Sequence, residues 1–257
     1  MVSEILRLTT SERTRLAHLI PEIVAGRGPV FASVGAESTA QAIIYAREAE
    51  SAGNDALMAI PPTLTDLPKQ VYLDYFSALA EATALPLIIQ DASAYVGQAI
   101  PLEVLVKLLE KFGPDKILFK PEAEPLGPNL SALRDATNFQ AKIFEGSGGI
   151  MLIDSFRRGI TGTMPGMDLL DGIIEVWHAL QADNHERAYE VYFPICALIA
   201  LQMQAGLDGL LAIEKYLLEK RGLFTTANRR KPFKWELDKE TQLEIDRLFT
   251  MLQDCLY

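Results

Sequence analysis

Lys116-Ile117-Leu118-Phe119-Lys120-Pro121-Glu122 is the stretch around which the rest of the chain falls into order. Large apolar residues in an unbroken run, closed by a lysine and then a proline, spell the end of a buried strand. The Lys120 ammonium then leaves the strand at its C-terminal end. Partial desolvation there favours the neutral amine, which can attack a ketone to form a Schiff base. Read alone, the stretch fits better a lysine that snorkels out of a sheet end, because most lysines have no catalytic role. Its surroundings decide between the two.

Runs of the same kind lie at 29–36, 55–60 and 86–90 upstream, and at 141–144 and 161–164 downstream. Between them, 38–52, 68–84, 101–112 and 128–137 read as helices, with Gly53 closing the first and Pro101 opening the third. An earlier helix reaching about Ala25 is announced by a capping box, Thr9 as N-cap with Glu12 three residues on. Gly146-Ser147-Gly148-Gly149 precedes a short helix to Arg158, and another helix covers 169–182. From His185 onward only helices are expected, over 185–205, 207–221 and 238–253, with a loop rich in Arg, Lys and Pro at 222–235.

Short, continuously apolar strands separated by helices predict an α/β fold with a parallel sheet covered on both faces. Three helices appended to such an array suggest a (β/α)8 barrel with a C-terminal extension. Residues 1–184 are expected to form a partial TIM barrel, and 185–257 a helical extension packed with it as one unit. A closed barrel needs eight strands, and six are visible. An open six-stranded sheet would match the count, but the chain has neither a strand–GxGxxG–helix unit nor a Walker A loop to mark a nucleotide site.

The 257 residues are 49% hydrophobic and 23% charged, enough for a sizeable core. A net charge of −10 argues against nucleic acid as the partner. No apolar run approaches the roughly 20 residues that cross a bilayer, and no basic segment followed by an apolar one marks a signal peptide. Cys196 and Cys255 stand far from any CxxC spacing, so reduced thiols and a cytoplasmic location are the default. His18, His178 and His185 show neither HxH nor HExxH spacing, which argues against a metal centre.

With Lys120, the order of the other landmarks resembles the dihydrodipicolinate synthase / N-acetylneuraminate lyase family of class I (Schiff-base) aldolases and dehydratases. The match is carried by Thr9-Thr10-Ser11-Glu12-Arg13, by Val34-Gly35-Ala36 through Ile43, and by Ala52-Gly53-Asn54-Asp55-Ala56 through Pro61-Pro62. It continues through Ile117-Leu118-Phe119-Lys120, through Phe144-Glu145-Gly146 to Gly162, and through Lys215, Arg221-Gly222 and Arg230-Lys231-Pro232. The resemblance begins after the family's second strand, so the chain is expected to lack the first β-α-β unit. It implies a (β/α)8 fold, a 2-keto acid substrate, no cofactor, no membrane partner and a homo-oligomer, dimer or tetramer.

The resemblance gives Lys120 the role of Schiff-base nucleophile, with the protonated imine as electron sink. It places Gly146, Ser147 and Gly148 in the loop that holds substrate hydroxyls, with Thr163 ending the next strand and Gln90 at the substrate. Gln90 stands where the family has a proton-shuttling tyrosine, and an amide moves no protons. A bound water, Ser147, Thr163 or the substrate's own carboxylate is expected to take over. Glu122 is expected to point outward or to bond a loop, or else to be a structural carboxylate. The family's synthase-marking arginine aligns near Tyr95, which argues against aspartate semialdehyde. The Gln90-Asp91 and Lys120-x-Glu122 arrangements look more like members acting on 2-keto-3-deoxy sugar acids.

Two other readings compete with a lyase. One is a catalytically silent barrel homologue that binds a small acid or serves assembly. The other is a phosphosugar barrel with phosphate at 146–149.

Overall fold

The computed structural model describes residues 3–257, and the chain divides into two compact units. The sheet unit comprises Leu8–Phe144 and Arg158–Gly162; the helical unit comprises the described residues up to Arg7, Glu145–Arg157 and Thr163–Tyr257.

The sheet unit opens with α1 (Thr10–Val24), whose N-terminus is closed by the full capping box of Thr9 and Glu12 and whose C-cap is Ala25. There follow β1 (Phe31–Ser33), α2 (Thr39–Ser51), β2 (Ala56–Ala59), α3 (Lys69–Ala82), β3 (Leu87–Asp91), α4 (Leu102–Phe112), β4 (Ile117–Pro121) and α5 (Leu126–Ala136). The strands form one parallel sheet in the order β1-β2-β3-β4. Leu57, Leu87, Ile89, Ile117 and Phe119 turn to the helix side, where they pack with Phe76 and Leu79 of α3 and Leu108 of α4. Burying a side chain of that size contributes about 1.5–3 kcal/mol. The pleat sends the alternate residues, among them Met58, Ile88 and Leu118, to the opposite face.

The two ends of the sheet are secured differently. At the N-terminal end of β4, Lys116 Nζ donates to Thr83 O (2.6 Å) and Leu85 O (2.5 Å). At the other end, Arg13 Nη2 donates to Ser33 O and Gly35 O, while its guanidinium lies 3.7 Å over the Tyr45 ring. Glycine is required at position 35, because a Cβ there would stand 2.8 Å from Ile60 O and 2.9 Å from Ile60 N.

The expected elements form, with local shifts. The strand expected at 141–144 appears as β5 (Phe144–Glu145), with Ile143 making a lone parallel bridge to Phe119. Lys142 and Ile143 spend their carbonyls on Phe119 N (3.0 Å) and Thr161 N (2.8 Å) outside a regular ladder. The helix expected from residue 128 starts at Leu126 with Pro125 at its N-cap, so Pro128 falls in the first turn, where a missing N–H costs nothing.

In the helical unit, a short 3₁₀ turn at Ile5–Arg7 precedes α6 (Leu152–Arg157), the end of β6 (Gly162–Thr163), α7 (Leu170–Gln181), α8 (His185–Met203), α9 (Gly206–Lys220) and α10 (Lys239–Leu256). Met164 N donates to Glu145 O at 2.9 Å, continuing the pairing of β5 with β6. The three C-terminal helices α8–α10 are those expected, the last beginning one residue later and ending three residues later. No helix among the described residues is long and apolar enough to cross a membrane.

Candidate active site

Lys120 lies near the C-terminal end of β4, and its Cα faces that of Gln90 across the β3–β4 register. Register partners in a parallel pair share a face. Since Ile89 and Phe119 go into the core, Gln90 and Lys120 turn to the opposite side. Glu122, two residues beyond Lys120, returns to that side because the pleat persists past the strand: Glu122 N donates to Asp91 O at 2.8 Å.

The side chains then meet. Lys120 Nζ donates to Glu122 Oε1 at 2.8 Å, and Gln90 Nε2 donates to Glu122 Oε2 at 2.7 Å. All are buried: Gln90 is 2% exposed, Glu122 6% and Lys120 7%. Asp91 braces the turn after β3, its carboxylate accepting from Ser93 N (3.0 Å) and Ile100 N (2.7 Å). On the neighbouring loops, Glu37 accepts from Thr63 N (2.8 Å) and Thr63 Oγ1 (2.7 Å).

This corrects one of the two expectations for Glu122, which points neither outward nor at a loop side chain; the other, a structural carboxylate, is compatible with its bonds to Lys120 and Gln90. Its carboxylate holds the lysine directly. The group hydrogen-bonded to the candidate nucleophile is therefore a carboxyl, fixed from its far side by the Gln90 amide.

The remaining candidates, Gly146, Ser147, Gly148 and Thr163, belong to the helical unit. There they are organised by a residue that the sequence had not singled out. Glu145 is fully buried, with Oε1 accepting from Ser147 N (2.6 Å) and Oε2 from Thr163 Oγ1 (2.8 Å). Ser147 Oγ accepts in turn from Met151 N at 3.0 Å. Tyr192 of α8 donates to Ile150 O, and burial, then Cys196, pushes its phenol above the ordinary range. Gly148 and Gly149 have φ of +72° and +112°, and a Cβ at Gly149 would stand 2.2 Å from Ile173 Cδ1. The signal for Glu145 was a lone carboxylate between Phe144 and Gly146 at a strand end. Among the described residues no group of three or more His, Cys, Asp or Glu is gathered as for a metal.

A model of the dihydrodipicolinate synthetase family matches residues 3–251. The chain belongs to that family. Within the family it is similar to the L-2-keto-3-deoxyarabonate dehydratase of Azospirillum brasilense, 28% identical over 249 residues, 95% of this chain and 78% of that protein. It also matches the 4-hydroxy-tetrahydrodipicolinate synthase of Gluconacetobacter diazotrophicus, 33% identical over 103 residues, 40% of this chain and 35% of that one. Among solved structures, YagE, a prophage protein of the dihydrodipicolinic acid synthase family from E. coli K12 in complex with pyruvate, superposes with a TM-score of 0.88 at 17% identity. That superposition covers 98% of this chain and 84% of that one. The fold is the (β/α)8 type of the dihydrodipicolinate synthetase family, with α8–α10 as the C-terminal helical extension.

Proposed function

We propose that this member of the dihydrodipicolinate synthetase family is a Schiff-base lyase acting on a 2-keto-3-deoxy sugar acid through Lys120, as a dehydratase rather than an aldolase. The observation that carries the reading is the buried Lys120–Glu122–Gln90 arrangement at the C-terminal ends of β3 and β4.

In this reading the Lys120 ammonium gives a proton to Glu122, and the free amine adds to the substrate's C2 carbonyl. Water leaves the carbinolamine, its oxygen protonated by the Glu122 acid, and a protonated imine remains. The imine draws electrons from C3, so Glu122, again a carboxylate, takes a C3 proton. The resulting enamine expels the C4 hydroxyl, which departs as water with the proton that Glu122 returns. Hydrolysis then frees Lys120, and the net change is loss of one water from the substrate. A carboxylate touching the lysine suits this proton traffic, and the similarity to the A. brasilense dehydratase along 95% of the chain supports the same chemistry. Gly146, Ser147, Gly148 and Thr163 are assigned to the substrate's hydroxyls.

Borohydride reduction with pyruvate, followed by peptide mass spectrometry, tests the proposal. An adduct on Lys120 is the expected result. Absence of any lysine adduct would leave a silent homologue as the better reading.

A further inference from the structure

Asp168 and Glu214 are a second pair of buried acids, in the helical unit and outside the chemistry assigned to Lys120. They are 4% and 3% exposed. Asp168 lies in the segment 164–169 that runs on from Thr163, and Glu214 lies within α9. Both reach the same gap: the point where a side chain on Gly166 would begin is 2.7 Å from Asp168 Oδ1 and 2.9 Å from Glu214 Oε1. Met167 N donates to Glu214 Oε1 at 3.3 Å, and Gln202 of α8 donates to Asp168 Oδ2. Glu214 Oε2 is buried with no hydrogen-bond partner among the described residues.

Among the described residues, Arg221 and Lys215 favour the ionised acids only through space, and their hydrogen bonds go to other groups. Arg221 donates to Met167 O, to Asp168 O and to the carboxylate of Asp171 on α7. Lys215 of α9 pairs with Glu4 and donates to Asn228 O. Two buried carboxylates facing one gap, with no side-chain cation of the described residues hydrogen-bonded to either carboxylate, resist both being ionised near neutrality. Burial pushes Asp168 up to about 6, while burial and then the Asp168 charge push Glu214 up to about 8.

We infer that Asp168 and Glu214 hold one proton between them at neutral pH, and that this proton fastens the segment 164–169 to α9. When it leaves in alkaline solution, two like charges share a buried gap and the segment loosens. A cavity of about 160 Å³ is lined in part by Asp168, Arg221 and Phe249, on the Asp168 side of the pair. Because Thr163 runs directly into this segment, loosening it disturbs the candidate hydroxyl contact. That consequence rests on the reading of Thr163 above; the shared proton does not.

Infrared spectroscopy and thermal denaturation test the inference without an activity assay. A protonated-carboxyl stretch is expected at neutral pH in the full chain, fading above about pH 8 and missing in Glu214→Gln. The folded protein keeps a proton that the unfolded chain has lost, so stability must fall as pH rises. Relative to Glu214→Gln, the Tm should drop by about 5 °C from about pH 6 to about pH 8. Should that variant fail to fold, Asp168→Asn is expected to shrink the same drop. A pair with no protonated carboxyl at neutral pH, or variants whose Tm tracks the parent at every pH, would overturn the inference. So would stabilisation by calcium or magnesium in alkaline solution that Glu214→Gln lacks, since the gap would then be a cation site.

Discussion

Lys120 Nζ and Glu122 Oε1 meet at 2.8 Å although Pro121 separates the two residues in sequence. A helix would turn such neighbours apart; an extended chain lays them side by side on one face. The acid is therefore delivered by the same backbone that delivers the amine, and Gln90 on the adjacent strand holds the acid from behind.

Replacing Glu122 by Gln keeps the shape and removes the proton acceptor. The variant should lose about 10²–10⁴-fold in kcat, the usual worth of a positioned acid–base group. Imine trapping should still mark Lys120, more slowly. Steady-state rates together with a trapping time course decide the matter, and an unchanged kcat would remove Glu122 from the chemistry.

Gln90→Leu leaves Glu122 Oε2 buried without a donor. The expected loss is about 1–3 kcal/mol of folding stability, the penalty for one unsatisfied buried polar group. Urea denaturation measures it, and a midpoint equal to the parent's would show that the 2.7 Å bond does not hold in solution.

Glu145→Ala removes the acceptor shared by Ser147 N and Thr163 Oγ1 and opens a hole where a fully buried side chain stood. A cost of about 2–4 kcal/mol is expected. If these groups contact substrate, KM should rise more than kcat falls. Equal changes in both would assign Glu145 to stability alone.

Asp208 contributes to the acid limb of stability. Burial pushes its carboxyl up, but the Lys234 amide and the Arg7 guanidinium outweigh that and hold it below the ordinary carboxylate range. A lowered carboxyl contributes stability above its unfolded pKa and loses it as pH falls through the folded value. Asp208→Asn should accordingly be less stable than the parent at neutral pH and converge with it in acid. Thermal scans across that range check the convergence, and parallel curves would refute it.

Much of this was legible in short windows of sequence. The Thr9–Glu12 cap and the apolar runs around Leu57, Ile88 and Phe119 are local signals, and the elements they announce form within a few residues of where they were expected. What stayed hidden depends on distance or on elements too short to show a period. Whether Glu122 faces Lys120 turns on the pleat surviving past β4, which is settled by a bond to Asp91 O on another strand. β5 is two residues long, so no alternation could reveal that Glu145 faces inward. Met167 and Glu214 are 47 positions apart, and no local pattern joins them.

A second lysine, immediately before β4, sharpens the meaning of the first. Lys116 also sits against oxygen atoms, and burial lowers its pKa. Its hydrogen-bond partners are the main-chain carbonyls of Thr83 and Leu85, which take up no proton near neutrality; Glu50 acts on it only through space, so the amine serves as a tether. Partial seclusion from water is common to both ends of the strand; a carboxylate hydrogen-bonded to the amine is present at only one. Anyone grafting this reactivity onto a different scaffold would have to transplant the acid together with the amine.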